Sequence, residues 1–301
     1  MSRFGPIAIG VDAGGTKTRI AVLEGRRRLA SQIERGINAA TVGANAAANS
    51  LVHAIGQACA AAACPIEGIT EVAVGIAGAG TPAIQRALSE ALERAFDPAR
   101  VFVTSDAEAA LAGVGSEPRG GPRALVIAGT GSIALARDRE GATARAGGHG
   151  FLLGDEGSAA WIAREAVRMA RRSQDGRAEP TALAERFAGR VSPTDAAGFA
   201  SLFPLVVECA EGGDKIALAL FKSAADELAR AALAALRALD LTSTPLPLGI
   251  TGGALSSSTI LRTEFTAALR TVAPAAFTTE LEVPPEIAVL HLLRTADGIT
   301  S

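Results

Sequence analysis

The chain has 301 residues, of which 49% are hydrophobic and 20% are charged, a balance typical of globular proteins with enough apolar material for two domains. Lysine and arginine number 29 against 31 acidic residues, which gives a formal net charge of -2. The composition therefore offers no overall basic field for nucleic acid or an anionic membrane, and we expect neither partner.

The cysteines and the N-terminal segment bear on the compartment. Cys59, Cys64 and Cys209 form neither a paired framework nor a CxxC spacing, and an odd count is typical of a reducing environment. The opening MSRFGPIAIGVDAGG has no apolar run of signal-peptide length, and no apolar stretch long enough to span a membrane occurs elsewhere. We expect a cytoplasmic protein.

The first fifth of the sequence predicts a meander of strands around a glycine-rich turn. The strands are expected at Ile7 to Val11, Thr18 to Leu23 and Leu29 to Glu34, with the turn at Asp12 to Lys17. Further along, the pattern predicts a helix over Asn45 to Ala63, a strand over Val72 to Ile76, a helix over Pro82 to Ala95 and a strand over Val101 to Thr104. That strand runs directly into Asp106, and α/β proteins place their chemistry at the carboxyl ends of strands.

A second strand, turn and strand follow a polar segment. Gly115 to Arg123 is rich in glycine and proline, as interdomain linkers are. After it, Ala124 to Ala128 and Ile133 to Arg137 are predicted strands around the turn Gly129 to Ser132. We interpret the repeated layout as an internal duplication, with one copy in each of two domains.

The rest of the chain is mostly helical by its apolar spacing. The predicted helices are Ser158 to Arg172, Pro180 to Phe187, Asp195 to Glu211, Asp214 to Leu239 and Glu286 to Ala296, and a strand is predicted at Leu246 to Thr251 before Gly252 and Gly253.

Both glycine turns join two strands, which excludes a Walker loop and a Rossmann fingerprint, since each of those precedes a helix. In the first turn, Gly14 and Gly15 expose backbone N–H groups, while Thr16 and Lys17 add a hydroxyl and a cation suited to phosphate oxygens. The second turn alone could be an ordinary hairpin. As a pair, the two turns could hold the phosphates of ATP between them, with Mg²⁺ bridged to Asp12.

Five segments, in this order, resemble the N-acetylglucosamine kinase and BadF/BadG/BcrA/BcrD-type ATPase family: IGVDAGGTKT, VTSDAEAAL, VIAGTGSIA, GGHGFLLGDEGSAAWIAREAV and ITGGAL. The family belongs to the superfamily of actin, hexokinase and the heat-shock chaperones. The resemblance implies an α/β fold of two actin-like (ribonuclease H-like) domains, residues 1–117 and 118–284, with an ATP-binding cleft between them and a last helix, within 285–301, that returns to the first domain. It also implies an ATP-dependent kinase, acting on a hydroxyl, the 6-OH, of N-acetylglucosamine or glucosamine, and a homodimer.

The resemblance also implies roles for individual residues. Asp12 would hold Mg²⁺ through water. The expected ATP-binding residues are Gly14, Gly15, Thr16, Lys17, Gly129, Thr130, Gly131, Gly252, Gly253 and Ala254. The expected sugar-binding residues are Asn38, Asp106, Ser132, Gly148, His149, Gly150 and Asp155.

The chemistry supports Asp106 independently of the resemblance. Phosphoryl transfer to an alcohol needs a carboxylate that accepts the hydroxyl proton as the γ-phosphoryl group arrives, and we assign Asp106 as this catalytic base. The alternative is that Asp106 only caps the helix that follows it.

Asp155 also has two interpretations. It precedes a predicted helix and could stabilise the positive end of that helix, or it could accept hydrogen bonds from neighbouring sugar hydroxyls. His149, between two glycines, either contacts the sugar or is a loop residue without a role.

Two departures from the family leave the sugar open. Ile133 follows the second glycine turn where N-acetylglucosamine kinases tend to have a polar residue, and His149 occupies a position that is often aromatic. Two other functions remain possible from the sequence. One is an ATPase that activates a partner enzyme; such ATPases hold an iron-sulfur cluster with cysteines, and this sequence has no matching cysteine pattern. The other is a sugar sensor that binds its ligand without turnover. Sugar kinases of the zinc-containing ROK type need a cysteine-rich cluster, which this sequence lacks.

Overall fold

The computed structural model describes residues 5–115, 121–189 and 193–296. The chain divides into two compact units: the first comprises Met1–Gly120 with Leu281–Ser301, and the second comprises Gly121–Glu280. The domain boundary placed between residues 117 and 118 lies outside the described residues.

Strands and helices alternate along the chain. The strands are β1 (Ile7–Ala13), β2 (Lys17–Glu24), β3 (Arg27–Arg35), β4 (Ile69–Ile76), β5 (Arg100–Ser105), β6 (Arg123–Ala128), β7 (Ser132–Arg137), β8 (Thr143–Gly147), β9 (Leu246–Thr251) and β10 (Ala276–Thr279). The helices are α1 (Ala39–Val42), α2 (Ala44–Ala61), α3 (Pro82–Ala95), α4 (Asp106–Ala112), α5 (Ala159–Gln174), α6 (Ala182–Arg186), α7 (Ala196–Ala200), α8 (Phe203–Glu211), α9 (Lys215–Arg237), α10 (Gly253–Ser257), α11 (Thr259–Val272) and α12 (Pro285–Ala296).

Each unit is built on one mixed five-stranded sheet, and the two sheets have the same topology. The strand orders are β3-β2-β1-β4-β5 in the first unit and β8-β7-β6-β9-β10 in the second. In both sheets, three antiparallel strands are followed by two parallel ones. The predicted α/β class is confirmed, and the repeated strand, turn and strand has the same place in both sheets.

In the first unit, helices cover both faces of the sheet, which explains why β1 is apolar throughout. Ile7, Ile9 and Val11 face a core shared with α2 and α3. Ala8 faces a second, smaller core formed with α12. The start of α12 lies against β1 because Gly10 has no side chain: a Cβ atom there would lie 1.7 Å from the carbonyl oxygen of Glu286. This glycine allows the C-terminal helix to approach the strand that carries Asp12.

In the second unit, the core lies between the sheet and α9, α5 and α11. Phe221, Leu228 and Phe265 are fully buried within it, and the many alanines of α9 let the helix lie close to the sheet. Among the described residues, no helix is both long enough and apolar enough to cross a membrane.

The structure corrects several predictions in the second unit. The single helix predicted over Asp195 to Glu211 is wrong: the chain forms α7 and α8, separated by Ser201 and Leu202. The reason is Pro204 in the first turn of α8, which cannot continue a preceding helix. The sequence pattern did not predict β8, α10, α11 and β10 in this unit, nor α1 in the first unit.

Candidate active site

The first glycine turn, Gly14 to Lys17, joins β1 to β2 and is held at its base by the chain that follows β3. The Gly14 N–H donates to the Lys17 carbonyl at 3.0 Å, and the N–H groups of Gly36 and Ile37 donate to the carbonyls of Thr16 and Gly14, each at 3.1 Å. The turn needs Gly36, since a Cβ atom there would lie 2.5 Å from the Gly15 backbone. Gly15, Thr16 and Lys17 are exposed, so the tip of this turn faces solvent.

Asp12 lies one residue before the end of β1, opposite Arg19 of β2. The Arg19 Nη1 is 3.2 Å from the Asp12 Oδ2. Burial, reinforced by the negative charge of Asp106, raises the pKa of Asp12 to about 6; Arg19 opposes this rise, and Glu286 adds to it. Asp12 therefore lies in a mostly buried, acidic neighbourhood that a cation would stabilise.

The residues present fit a hydrated Mg²⁺ better than a fully protein-ligated metal. In the described part of the chain, no group of three or more His, Cys, Asp or Glu side chains is arranged to hold a metal ion. Mg²⁺ usually keeps several waters and takes only one or two carboxylates from the protein. Asp12, with excess negative charge around it, is suited to that mode of binding.

Asp106 is the first residue of α4, directly after β5. The helix is capped by Ser105, whose Oγ accepts the Glu108 N–H at 3.1 Å, while the Glu108 side chain reaches back to the Ser105 N–H in a capping box. The Asp106 Oδ1 accepts the neighbouring Ala107 N–H at 3.0 Å, and the carboxyl also accepts the N–H of Asp106 itself. The capping alternative is therefore wrong, because Ser105 has that role.

The surroundings of Asp106 favour a neutral carboxyl relative to a free aspartate. Burial raises the pKa of Asp106, and its hydrogen bonds to the backbone N–H groups of Ala107 and Asp106 itself oppose the rise. The helix approaches the sheet closely at Gly75, where a Cβ atom would lie 2.5 Å from the Ala109 Cβ. A raised pKa makes this carboxylate a better proton acceptor.

Asn38 has a structural role that its sequence context did not reveal. It is the N-cap of α1, and its Oδ1 accepts the Ala40 N–H at 3.0 Å. Gly78 allows this arrangement, because a Cβ atom there would lie 2.4 Å from the same Oδ1. The amide nitrogen of Asn38 takes no part in the cap and is the group it could offer to a sugar hydroxyl.

The second glycine turn, Gly129 to Ser132, joins β6 to β7 and is tied to the start of α5. The Gly129 N–H donates to the Gly131 carbonyl at 2.9 Å, and the Ala159 N–H donates to the Gly129 carbonyl at 2.9 Å. Ser132 is buried, and its Oγ donates to the Glu156 carbonyl at 2.7 Å.

The predicted adenosine-binding residues lie beside this turn. A Cβ atom on Gly129 would lie 3.7 Å from the Gly253 nitrogen. Gly252 has φ +100°, and a Cβ atom there would lie 2.4 Å from the Ala128 backbone, so only glycine fits. The Ala254 side chain is buried, which leaves its backbone as the part that could border a nucleotide.

Asp155 brings the second glycine turn and the histidine loop together. Its Oδ2 would lie 2.7 Å from a Cβ atom on Gly131, and its carboxylate accepts the backbone N–H groups of Ser132 and Gly150. Burial raises the pKa of Asp155, while these two hydrogen bonds oppose the rise. Because α5 begins at Ala159 and is capped by Ser158, Asp155 does not cap that helix.

The histidine loop, Gly147 to Gly154, packs against β7. Gly148 has φ +69°, and a Cβ atom there would lie 2.9 Å from the Ile133 Cδ1. His149 is exposed, and its positive form lowers the pKa of Asp155. The Ile133 side chain therefore lies next to Gly148, one of the residues expected to bind the sugar.

Sequence reasoning missed the residues that anchor this loop. The Arg164 Nη1 donates to the Phe151 carbonyl at 2.7 Å, and the Arg164 guanidinium lies 5.0 Å from the centre of the Phe151 ring. Phe151 also packs on Phe199, with 5.5 Å between the ring centres. The anchored loop presents Leu152 and Leu153 to solvent. The sequence signal that could have indicated this anchor is Phe151, an aromatic residue inside a glycine-rich loop.

Comparison with known proteins supports this fold. The model of the BadF/BadG/BcrA/BcrD ATPase family matches residues 9–272, so the chain belongs to that family. An N-acetylmuramic acid/N-acetylglucosamine kinase from Clostridium acetobutylicum is 30% identical over 274 residues, which cover 85% of this chain and 88% of that protein. An N-acetyl-D-glucosamine kinase from Dictyostelium discoideum is 28% identical, covering 85% of this chain and 87% of the relative.

A solved structure supports the same assignment. The crystal structure of a candidate N-acetylglucosamine kinase from Chromobacterium violaceum matches with a TM-score of 0.77 and 27% identity, covering 96% of this chain and 99% of that one. The predicted family and the actin-like fold class are confirmed.

Proposed function

We propose that this protein is an ATP-dependent sugar kinase that transfers the γ-phosphoryl group of ATP to the 6-OH of an amino sugar, N-acetylglucosamine or glucosamine. Membership of an ATPase family supports the use of ATP, and the curated relatives, both named as kinases of N-acetylated amino sugars, support the reaction. The observation that carries the proposal is Asp106, a partly buried carboxylate whose charge acts on Asp12 and whose helix is already capped by another residue.

In the proposed reaction, the sugar hydroxyl oxygen forms a bond to the γ-phosphorus as the bond between that phosphorus and the bridging β,γ-oxygen breaks. The hydroxyl proton passes to Asp106, and ADP leaves with the bonding electron pair. When bound at Asp12, Mg²⁺ would offset part of the phosphate charge.

The two glycine turns have the groups that phosphates require. The first turn offers the exposed Thr16 hydroxyl, the Lys17 ammonium group and backbone N–H groups. In the second unit, Thr130 would bind phosphate, and Gly252, Gly253 and the Ala254 backbone would border the adenosine.

Asp155 is our candidate for binding the sugar hydroxyls. Its carboxylate is fixed by two backbone N–H groups, and a fixed carboxylate can accept two adjacent hydroxyl donors. Ser132 and Gly150 donate their backbone N–H groups to the Asp155 carboxylate, and the charge of His149 acts on it. Gly148 and the Asn38 amide nitrogen would also contact the sugar.

The proposal is tested by initial rates of Mg-ATP turnover with glucosamine, N-acetylglucosamine, N-acetylmuramate, glucose and no sugar. We expect one amino sugar to stimulate turnover strongly, with its phosphate ester as the product. Slow hydrolysis that is indifferent to every sugar would contradict the proposal and would favour an ATPase or a sensor.

A further inference from the structure

Glu286 is a buried carboxylate, one oxygen of which has no hydrogen-bond partner in the described part of the fold. It lies in the first turn of α12, and only 5% of the residue is exposed. Its Oε2 is buried and has no hydrogen-bond partner among the described residues. A buried carboxylate oxygen without a partner is costly, because it has lost the hydrogen bonds that water would provide.

The packing of α12 places Glu286 near Asp12, the candidate metal ligand. The Glu286 carbonyl lies against Gly10, two residues before Asp12 on the same strand. The helix is fixed there by Val289 and Leu290, which are buried against the sheet. The charge of Glu286 also acts on Asp12, as does that of Asp106.

Two acidic residues act on Asp12 besides its own cation. The charges of Asp106 and Glu286 both act on Asp12, and Arg19 is the cation that pairs with it. Arg19 does not reach the orphaned oxygen of Glu286, which has no hydrogen-bond donor. A hydrated divalent cation would offer both the missing positive charge and water protons for that oxygen.

We propose that Glu286 is a second metal-positioning carboxylate, which accepts a hydrogen bond from water bound to the Mg²⁺ at Asp12. This inference rests on the proposed function, since it requires a metal site at Asp12. Such outer-sphere residues orient a metal without touching it, and their loss typically costs about 10- to 100-fold in metal affinity. The competing explanation is a structural carboxyl, whose replacement would change stability but not metal binding.

The test is Mn²⁺ binding, measured by electron paramagnetic resonance in the presence of a nonhydrolysable ATP analogue, so that turnover is not involved. We compare the wild type with Glu286→Gln, which keeps the shape but removes the charge. Glu282→Gln is the matched control, because Glu282 is an exposed carboxylate of the segment just before α12. We expect about tenfold weaker Mn²⁺ binding in Glu286→Gln and wild-type binding in Glu282→Gln.

The outcomes separate this inference from the proposed function. Equal Mn²⁺ affinity in the wild type and Glu286→Gln would overturn the role of Glu286 alone, as would an equal loss in Glu282→Gln. A wild type that binds no Mn²⁺ would overturn the metal site and the proposed function together. If Glu286→Gln does not fold, Glu286→Met, which has a similar volume and no charge, decides the question by the same measurement.

Discussion

The two glycine turns lie at the same position in sheets of the same strand order, yet their neighbours differ. In the first unit, the turn follows Asp12, which is paired with Arg19 and influenced by Asp106. In the second unit, the turn is covered by Asp155, which lies directly over Gly131. The two turns share a place in the sheet, while the side chains around them differ: Asp12 has Arg19 and the charge of Asp106 beside it, and Asp155 accepts backbone N–H groups.

The largest expected effect is in the first unit. Asp106→Asn should lower kcat for sugar phosphorylation by about 1,000-fold, because an amide cannot accept the hydroxyl proton. The fold should survive, since Ser105 and Glu108 cap the helix without Asp106. The measurements are kcat and the affinity for ATP, and the affinity for ATP should not change. Turnover of Asp106→Asn within a few-fold of the wild type would remove Asp106 as the base.

In the second unit, Asp155→Ala should weaken sugar binding by about 10- to 100-fold, because charge-assisted hydrogen bonds to the sugar would be lost. The affinity for ATP should stay the same. Glu156→Ala is the control, since its backbone carbonyl, not its side chain, accepts the Ser132 hydroxyl. Sugar and nucleotide affinities measured by calorimetry give the answer; an unchanged sugar affinity in Asp155→Ala would refute the assignment.

Without Mg²⁺, the folded protein should also be less stable when Asp12 is ionised. The pKa of Asp12 is raised from 3.8 to about 6 in the folded protein, so the folded state binds this proton more tightly than the unfolded chain. Ionisation therefore opposes folding, and the free energy of unfolding should fall as pH rises from about 4 to 6. Without Mg²⁺, Asp12→Asn should raise the free energy of unfolding at neutral pH by about 3 kcal/mol. Near pH 4 the gain should disappear.

Denaturant unfolding of Asp12→Asn and the wild type across this pH range, in the presence of a chelator, measures that difference. A stabilisation of equal size at every pH would show that it does not come from the Asp12 charge.

The smallest expected effect is a difference in stability between glycine substitutions in the two turns. Gly131→Ala should lower the free energy of unfolding by about 1–2 kcal/mol, since the new Cβ atom would lie 2.7 Å from the Asp155 carboxylate. Gly15→Ala should change stability by no more than about 0.5 kcal/mol, because nothing lies within 4 Å of its added Cβ atom. Thermal unfolding without ligands is the measurement. Equal losses in both variants would contradict the difference described between the turns.

Much of the fold could be predicted because local signals agree with the tertiary packing. The bounds of α3 follow from Thr81 as N-cap and Pro82 at the first helical position. The edge strand β8, by contrast, has the sequence TARAG, in which polar residues alternate with alanine over only five residues, too short and too weakly apolar a pattern to predict a strand. For α11 the sequence does carry a helix signal that was not used, since Leu261, Phe265 and Leu269 are buried at helical spacing after the Ser258 cap.

The candidate site likewise contains residues that could be predicted from the sequence and one that could not. Asp12, Asp106 and Asp155 could be proposed from motifs that are continuous in sequence. Glu286 could not, because it reaches the neighbourhood of Asp12 only when α12 packs on β1, far along the chain. A contact made by distant segments leaves no local pattern in the sequence.

The central claim, phosphoryl transfer to an amino sugar, is tested most directly by phosphorus NMR of the wild type with Mg-ATP and the sugar that stimulates turnover most. The account predicts that ATP consumed equals sugar 6-phosphate and ADP formed, with no inorganic phosphate. Release of ADP and inorganic phosphate without a sugar ester would contradict it.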